Sequence, residues 1–357
     1  MNKEEVVHAY ALKPLHVVCA LECFYEEGVK PEVARWYIPK RNENHMNTRR
    51  CVLEAGGIEL RKWVLPPPKV KWDFGSKNRL SRLVCKIVRR ALNGFIVKII
   101  RVPYFLIVYY SRLLGYFFFA PPDLVVIPCN IYGLICASSS RAKRVVMVDS
   151  GRSTVSRGRI DRYESSGVWG LLTNPSNRKG ARLPMFLARA VYRHVEGRFD
   201  FFSLYAPHGG LAQPNHFNRL KEVVKSHPDG RDVLVLGCGR AIEPEWVESE
   251  VEKAGFERKR NPKDGLALKE KTPSVFYKPH PREIVDDCRR EGFEKHGWVV
   301  LDGGSPAEVS VANREVWPRL VVGFGSTAMD SLRNIMGERA MFLDLPVPKW
   351  EATCWRR

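Results

Sequence analysis

The sequence predicts an α/β protein with two doubly wound parallel sheets in succession. Apolar, β-branched runs alternate with helix-like stretches in the first part of the chain, and the alternation starts again after a break at 227–230. Parallel strands need crossover connections, usually helices, so each alternating stretch is typical of one sheet with helices on both faces. The 357 residues are enough for two domains of ordinary size. We place the boundary near residue 228, between an N-terminal domain 1–227 and a C-terminal domain 228–357.

In the first half, the pattern opens with an apolar run at 15–21, which is followed by a helix-like stretch. The predicted strands then cover 34–39, 123–128 and 144–148, and the predicted helices cover 43–55, 132–139 and 215–226. Gly56 and Gly57 suit the end of the helix at 43–55, since glycine readily adopts the left-handed conformation of a helix C-terminus. The β-branched run at 144–148 is typical of a strand buried in a parallel sheet.

The second half repeats the pattern. Predicted strands cover 232–236, 274–277, 298–301 and 319–322, and predicted helices cover 244–254, 282–291 and 327–336. In doubly wound sheets, ligands bind at the carboxyl ends of strands. The candidate functional side chains are therefore those that directly follow a predicted strand.

The net charge of +19 is concentrated in one segment. Eleven lysines and arginines and a single acid, Asp73, lie in 69–119. Such a patch can face nucleic acid, an anionic membrane or a polyanionic substrate, and charge alone does not choose among them. Because apolar residues are interleaved with basic ones, 80–120 is open to three interpretations: a buried helix, an amphipathic helix at a membrane surface, or a membrane span. Pro103 and Arg112 count against the span.

The chain start and the cysteines favour a cytoplasmic protein. The residues 1–10 are polar and acidic rather than basic and then apolar, so no secretory signal is predicted. The nine cysteines are odd in number and contain no Cys-x-x-Cys pair, which disfavours a disulfide framework and a zinc site. We expect packed thiols at Cys19, Cys23, Cys129 and Cys136.

The most informative motif is the run Tyr-Lys-Pro-His-Pro-Arg-Glu at 277–283, directly after a predicted strand. Pro279 and Pro281 restrict the backbone on both sides of His280. Imidazole titrates near neutral pH, so a histidine held in this way is suited to donate a proton or to bind a phosphate. A loop histidine that only caps a helix is the alternative.

A second motif is Gly-Phe-Gly-Ser-Thr at 323–327, where a predicted strand passes through glycines into a helix. Glycines let a ligand approach the backbone, and the free N–H groups of a helix N-terminus favour an anion such as phosphate. Ser326 and Thr327 would add hydroxyls, and a simple N-cap role is the alternative for Ser326. The Gly-Lys-Ser/Thr ending of a Walker loop is missing.

Two weaker signals complete the set. Asp149, with Gly151 two residues later, ends a predicted strand, and a carboxylate there is suited to accept a proton from a hydroxyl nucleophile. An ordinary turn is the alternative, because aspartate and glycine are common turn formers. Gly237 and Gly239 form a strand-to-helix turn that is suited to border a nucleotide.

In their order on two β/α domains, these motifs resemble those of bacterial sialyltransferases. The polysialyltransferases are the best match, and the lipooligosaccharide sialyltransferases are near relatives. That family has an acidic motif ending in glycine in the first domain, a His-Pro motif in the second, and a Ser/Thr pair at a later helix start. The resemblance spans roughly 120–345, and its most specific piece is the run at 278–283.

The resemblance implies a GT-B fold, in which two Rossmann-like domains face a central cleft. It also implies inverting transfer of sialic acid from CMP-sialic acid to a glycan, with no cofactor and no metal. By position, Asp149 would be the general base, and His280 would stabilise or protonate the leaving CMP phosphate. Ser326 and Thr327 would bind that phosphate. Glu308 falls where the family places a carboxylate on the ribose hydroxyls.

The other positions assigned to substrate binding are Gly151, Gly237, Gly239, Lys278 and Pro281. One departure concerns Ser150, which stands where the family has a second acidic residue, so the sugar specificity is open. The expected acceptor is an anionic glycan, such as a capsular polysaccharide, polysialic acid or a lipooligosaccharide. A peripheral contact with the inner membrane fits the basic segment 69–119.

Three other interpretations stay open. A transferase for another CMP-activated acid sugar, such as Kdo, would need the same phosphate pocket. A nucleic-acid-binding protein fits the charge, but the sequence lacks a zinc finger, an RNP signature and a helix-turn-helix pattern, so no nucleic acid partner is expected. An inert partner in capsule assembly fits the short ending after Lys349, because a GT-B chain often needs a C-terminal helix that returns across the first domain.

Overall fold

A computed structural model of the protein describes the greater part of the chain. The described residues are 5–38, 45–56, 59–62, 103, 106, 107, 110, 121–151, 154–155, 158–173, 185–227, 230–239, 242–253, 274–280, 283 and 285–347. The chain divides into two compact units. The first unit comprises Met1–Leu12, Lys30–His45 and Gly56–Pro214, and the second comprises Lys13–Val29, Met46–Ala55 and Asn215–Arg357.

The described elements alternate between strands and helices along most of the chain. The strands are β1 (Val7–Tyr10), β2 (Ala34–Ile38), β3 (Glu59–Lys62), β4 (Leu124–Pro128), β5 (Arg144–Val148), β6 (Phe199–Ser203), β7 (Gln213–Pro214), β8 (Asp232–Leu236), β9 (Val275–Lys278), β10 (Trp298–Val300), β11 (Pro318–Gly323) and β12 (Met341–Asp344). The helices are α1 (Pro14–Glu26), α2 (His45–Glu54), α3 (Ile131–Ser140), α4 (Arg159–Leu172), α5 (Met185–Val195), α6 (Asn218–Lys225), α7 (Pro244–Lys253), α8 (Asp287–Lys295), α9 (Ala307–Ala312) and α10 (Thr327–Met336).

Each unit contains one sheet, and the paired strands described in both sheets are parallel. The strand order is β3-β2-β1-β4-β5-β6-β7 in the first unit and β10-β9-β8-β11-β12 in the second. Counted from the first strand of each sheet, both contain the order 3-2-1-4-5 of Rossmann folds. The predicted α/β class with two Rossmann-like sheets is confirmed. The order reverses between β1 and β4 and between β8 and β11, and ligands of such sheets bind at these switch points.

The central strands are buried on both faces, which explains their composition. Every residue of β4 is buried, and so are the last four residues of β5. Helices cover both faces of such a sheet, so these strands are apolar throughout instead of alternating. The cores centre on Ile127, Met147 and Phe201 in the first unit and on Val235, Tyr277 and Trp298 in the second. Buried free thiols are found at Cys19, Cys23, Cys129 and Cys136, as predicted.

The helices α1 and α2 belong to the second unit, although they come early in the chain. Glu22 of α1, whose side chain is 1% exposed, accepts hydrogen bonds from the backbone N–H groups of Arg219 (2.9 Å) and Leu220 (3.2 Å) in α6. Because α6 has no side-chain cap of its own, Glu22 satisfies two N–H groups that a helix N-terminus leaves free. Because α1 and α2 lie in sequence between segments of the first unit, a single boundary near residue 228 does not separate the two units. The apolar run at 15–21 lies inside α1.

The other element predictions hold with local exceptions. The helix α10 has the predicted bounds 327–336, and β5 has the predicted bounds 144–148. The helix predicted at 282–291 begins only at Asp287, because Asp286 is its N-cap and accepts a hydrogen bond from the N–H of Arg289 at 2.9 Å. The elements β1, β3, β6, β7, β12, α4, α5 and α9 are missing from the sequence prediction.

The basic segment 69–119 lies outside the described residues, apart from single positions at 103, 106, 107 and 110. Its three interpretations therefore stay predictions. Within the described part of the chain, no helix combines the length and the hydropathy that crossing a bilayer requires.

Candidate functional site

Three motifs of the second unit lie at one edge of its sheet. The strands β9, β8 and β11 are consecutive and parallel, so the segments that follow them leave from the same edge. His280 follows β9, Gly237 and Gly239 follow β8, and the Ser326-Thr327 pair follows β11. This edge contains the switch point between β8 and β11. The structure thus places His280, the glycine turn and the Ser/Thr pair at the carboxyl ends of neighbouring strands.

The His280 loop is held by Glu283, whose side chain is fully buried. Oε2 of Glu283 accepts a hydrogen bond from the backbone N–H of His280 at 3.2 Å, and the N–H of Glu283 donates to the carbonyl oxygen of His280 at 2.7 Å. Oε1 accepts from the Tyr277 hydroxyl at 2.6 Å and from Nη2 of Arg289 at 2.8 Å. Burial and the Glu283 charge raise the pKa of Tyr277 well above its usual value, so its hydroxyl stays a donor. The His280 side chain itself is partly exposed.

Gly237 allows the turn after β8 to approach this loop. A Cβ at this position would lie 2.5 Å from Oε2 of Glu283 and 2.6 Å from the backbone nitrogen of His280. Such distances are too short for a carbon atom, so glycine is required here whether or not a ligand is bound. Gly239 has a φ of +77°, in the left-handed region that favours glycine. Both predicted glycines therefore have a structural role in the turn.

The Ser/Thr pair opens α10. Ser326 is the N-cap, and its Oγ accepts a hydrogen bond from the N–H of Met329 at 3.3 Å. Gly325, with a φ of +62°, donates its N–H to Oδ1 of Asp344 at 2.6 Å. Both Ser326 and Thr327 are partly exposed. The N-cap role of Ser326 is confirmed, and the partly positive end of α10 lies at the carboxyl edge of the sheet, where an anion would be stabilised.

Lys278 is 4% exposed, and its ammonium group is surrounded by protein atoms. Nζ donates to the carbonyl oxygen of Asp302 at 2.5 Å and to the hydroxyls of Ser305 and Ser310 at 2.8 Å each. An ammonium group has three N–H donors, so these partners use all of them. Burial lowers the pKa of Lys278. This predicted substrate-binding residue fastens β9 to the segment that leads into α9.

Glu308, in the first turn of α9, is 3% exposed. The hydroxyl of Ser331 in α10 donates a short hydrogen bond to Oε1 of Glu308. Oγ of Ser331 also lies 3.1 Å from the carbonyl oxygen of Thr327. Burial raises the pKa of Glu308. Glu308 therefore joins α9 to α10, and its contact with a ribose stays a prediction.

The helix α2 contributes to the same edge, which sequence reasoning did not foresee. Nη2 of Arg50 forms a short ion pair with Oδ2 of Asp302, in the loop after β10. Asn47 packs on the same loop, because a Cβ at Gly304 would lie 2.6 Å from Oδ1 of Asn47. Partial burial opposes the ionisation of Asp302, but hydrogen bonds from Gly304 and Arg50 outweigh it and lower the pKa. The amphipathic pattern of α2 predicts that one of its faces packs against another element, but it does not identify that element.

Asp149 lies in the first unit, at the carboxyl end of β5, and is 3% exposed. Oδ1 accepts a hydrogen bond from the Ser203 hydroxyl at 2.8 Å, and Oδ2 accepts one from the N–H of Leu204 at 2.6 Å. The carboxylate therefore bridges the ends of the neighbouring strands β5 and β6. Gly151 has a φ of +83°, and its carbonyl oxygen accepts from the N–H of Thr154 at 2.7 Å, so this glycine belongs to a turn.

One site residue was missed from the sequence and one cannot be placed. Glu283 belongs to the run at 277–283, but the motif assigns it no role. Its spacing was the signal, because a glutamate three residues after a turn-opening residue can return to that residue's N–H, as in a capping box. Pro281 lies outside the described residues.

The chemistry available at the second sheet is suited to an anion. It consists of backbone N–H groups at the start of α10, two hydroxyls and one imidazole, all at the same edge. A carboxylate, the usual acceptor of a hydroxyl proton, lies on the other unit. Among the residues that the structure describes, no three His, Cys, Asp or Glu side chains are grouped so as to hold a metal ion.

Three solved structures illustrate what the chain is similar to. An α/β-galactoside α-2,3-sialyltransferase from Photobacterium phosphoreum is 12% identical with a TM-score of 0.42, and the match covers 95% of this chain and 90% of that one. MurG from Acinetobacter baumannii is 9% identical with a TM-score of 0.42, over 99% and 81%. The GT-B domain, residues 113–497, of a sialyltransferase from Photobacterium damselae is 10% identical with a TM-score of 0.39, over 96% and 91%.

No protein-family model matches the chain, and no curated protein matches it.

Proposed function

We propose that the protein is an inverting glycosyltransferase that transfers sialic acid from CMP-sialic acid to a glycan. The main support is the convergence of His280, the Gly237 turn and the start of α10 at the switch point of the second sheet. These groups are suited to bind a nucleoside monophosphate. The glycine turn lets the ligand approach the backbone, the N–H groups of the helix bind the phosphate, and the imidazole can be protonated. The resemblance of 149–151, 280–281 and 326–327 to sialyltransferase motifs suggests the sugar.

In the proposed reaction, the acceptor hydroxyl attacks the anomeric carbon of the sugar, and the bond from that carbon to the CMP phosphate breaks on the opposite face. CMP leaves with the bonding electron pair. His280 donates a hydrogen bond or a proton to the departing phosphate, and the start of α10 stabilises its negative charge. Asp149 takes the proton of the acceptor hydroxyl. One CMP is released for each sugar transferred, and the anomeric configuration inverts.

The described contacts separate the residues that would touch the donor from those that would hold the site in place. Ser326 and Thr327 are partly exposed and would touch the donor phosphate. Lys278 and Glu308 are buried and would act by fixing β9, α9 and α10 around the donor. In this proposal the nucleotide binds to the second unit, and the proton acceptor Asp149 belongs to the first.

The proposed partners are a CMP-sugar, used as a substrate and not as a cofactor, and an anionic glycan. An acceptor of the capsular, polysialic acid or lipooligosaccharide type would be attracted by the net charge of +19. We place the reaction in the cytoplasm at the inner face of the plasma membrane, where such glycans are assembled. No metal is required in this proposal, because a CMP leaving group carries a single phosphate that His280 and α10 can neutralise.

A transferase for CMP-Kdo is the second candidate, because Ser150 replaces the second acidic residue of the family motif. The two are separated by incubating the protein with either nucleotide sugar, with and without polysialic acid or lipooligosaccharide, and measuring CMP release and glycan mass. We expect acceptor-dependent release from CMP-sialic acid and a mass gain of whole sialic acid units. CMP release from CMP-Kdo but not from CMP-sialic acid would show that the protein transfers Kdo.

Two histidine variants serve as the matched pair for this assay. His280→Ala should lower the transfer rate by about 10²- to 10⁴-fold and leave a measurable residual rate, since it removes the proton donor. His296→Ala should not lower it, since His296 follows α8 at the amino end of β10 and pairs with Oε1 of Glu245 at 2.9 Å. If a folded protein transfers neither sugar, or if His280→Ala is as active as the parent, the proposed function is wrong.

A further inference from the structure

Glu283 is a fully buried carboxylate to which the proposed reaction gives no role. It lies between two features that the proposal needs, since Oε2 contacts the backbone of His280 and comes within 2.5 Å of the Cβ position of Gly237. From this geometry we propose that Glu283 is the positioning residue for His280. The inference rests on the proposed function, because it assumes that His280 acts on the leaving phosphate.

The contact between the two residues is reciprocal. The Glu283 carboxylate accepts from the N–H of His280 at 3.2 Å, while the N–H of Glu283 donates to the His280 carbonyl oxygen at 2.7 Å. Both backbone polar groups of His280 are thus bound by one residue. Pro279 restricts the chain on the preceding side. The backbone of His280 is therefore fixed, which leaves the imidazole only its side-chain rotations.

Glu283 is itself held from two further directions. The Tyr277 hydroxyl and Nη2 of Arg289 both donate to Oε1, at 2.6 Å and 2.8 Å. The Tyr277 ring in turn stacks on Phe293 with 4.3 Å between ring centroids. Oε2 is left to serve the His280 loop. A carboxylate suits this place because it only accepts hydrogen bonds, and its two oxygens face three donors.

The kinetic test compares three variants with the parent in CMP-sialic acid transfer. Glu283→Ala removes both oxygens, so kcat should fall about 100-fold, since a misplacement of about 1 Å of a catalytic group can cost that much. Glu283→Gln should recover only part of the loss, because its amide oxygen can accept from His280 while its NH2 group meets the guanidinium of Arg289, which is also a donor. Arg290→Gln is the matched control, because Arg290 is an exposed residue of the same helix α8, and its kcat should stay close to that of the parent.

Calorimetry with CMP separates positioning from simple loss of structure. CMP affinity should be retained in Glu283→Ala, because His280 is proposed to act on charge that develops as CMP leaves. In a His280→Ala background, Glu283→Ala should reduce kcat no further. If the two losses multiply, Glu283 does not act through His280 and the inference is wrong. If Glu283→Ala does not fold, Glu283→Asp replaces it, since the shorter side chain keeps the charge but not the reach to His280.

Hydrogen exchange tests the contact without any substrate. By NMR on ¹⁵N-labelled protein, the His280 amide should exchange at least about tenfold faster in Glu283→Ala than in the parent. The Leu301 amide is the internal reference, because it donates to the Tyr277 carbonyl oxygen at 2.9 Å independently of Glu283. Unchanged His280 exchange overturns the inference. An active His280→Ala variant overturns the proposed function instead, so the two failures are distinguishable.

Discussion

The N–H of Gly237 donates a 2.8 Å hydrogen bond to the carbonyl oxygen of Lys278. This bond extends the pairing of β8 with β9 beyond the last residue of β8, so the glycine turn rests directly on the strand that leads into the His-Pro loop. Two motifs that stand 43 positions apart in the sequence, at Gly237 and His280, thereby share one close contact. A change at the glycine should therefore be transmitted to the histidine.

Gly237→Ala should disturb both motifs. The new methyl group would lie 2.5 Å from Oε2 of Glu283, 2.6 Å from the nitrogen of His280 and 2.9 Å from the Tyr277 hydroxyl. All three of these groups are held by hydrogen bonds, so the backbone must move, and overpacking of this kind costs about 1–3 kcal/mol. We expect a lower unfolding free energy in urea together with weaker CMP binding by calorimetry.

Gly292→Ala is the matched control, because Gly292 lies in α8 and no heavy atom falls within 4 Å of its Cβ position. Alanine is the better helix former, so this variant should be more stable by about 0.5–1 kcal/mol. Equal stability of the two variants would contradict the close approach of the Gly237 turn.

Lys278→Met should lower stability while leaving CMP affinity close to that of the parent. The substitution leaves the carbonyl oxygen of Asp302 and the hydroxyls of Ser305 and Ser310 without their donor, and unmade buried hydrogen bonds cost about 1–3 kcal/mol. Lys253→Met, at a lysine whose side chain is 68% exposed, should change stability by less than about 0.5 kcal/mol. A folded Lys278→Met protein that no longer binds CMP would show that Lys278 contacts the nucleotide.

Glu22 should make the protein less stable as the pH rises from 5 to 8. Burial raises the pKa of this carboxyl from 4.5 to about 7, against the effects of Arg219 and of the two N–H groups that it accepts. The folded protein therefore binds the proton more tightly than the unfolded chain does. This stabilisation is full below about pH 4.5 and is lost as the pH passes 7, a change on the order of 3 kcal/mol.

Urea unfolding of the parent and of Glu22→Gln at pH 5, 6, 7 and 8 measures this effect. The difference in unfolding free energy between them should move in favour of Glu22→Gln as the pH rises. Glu26→Gln, an exposed position four residues along the same helix, controls for the loss of a charge from α1. A difference that stays constant across this pH range would show that Glu22 is already ionised at pH 5.

The strand ends could be predicted from the sequence because they depend on local information. Runs such as 144–148 and 319–322 are apolar and β-branched, and the residues that follow them change type abruptly. The rule that ligands bind at carboxyl ends then selected Asp149, His280 and Ser326. The structure places each of these at a strand end, as expected.

The contacts between these residues could not be predicted in the same way. Whether Lys278 is directed to solvent or into the protein depends on Ser305 and Ser310, which approach it only after α9 has packed. The role of Glu22 in joining α1 to α6 could not be predicted either, because its partners are backbone N–H groups of a helix about 200 residues later in the chain. Tertiary partners decide such roles, and one sequence does not name them.

Removal of divalent ions should leave transfer unaffected. The sequence has no Asp-x-Asp pair of the kind that binds the metal ion of a nucleoside diphosphate sugar. The single phosphate of a CMP-sugar also carries less negative charge to neutralise than a diphosphate does. The transfer rate is measured after dialysis against EDTA and again after addition of magnesium or manganese. Loss of activity in EDTA that either ion restores would refute the metal-independent mechanism.

Asp149→Asn should separate proton transfer from donor binding. The amide keeps the shape of the side chain, and its oxygen can still accept from the N–H of Leu204 while its NH2 group donates to Ser203. It cannot take a proton from the acceptor hydroxyl, and loss of a general base typically costs about 10²- to 10⁴-fold in rate. CMP affinity should stay near that of the parent, because the nucleotide is proposed to bind to the other unit. Ser203→Ala removes one of the two hydrogen bonds to the Asp149 side chain but keeps the carboxylate, so the loss of transfer rate should be much smaller. The measurements are CMP affinity by calorimetry and transfer rate for each variant. If folded Asp149→Asn transfers sugar at close to the parent rate, Asp149 is not the base.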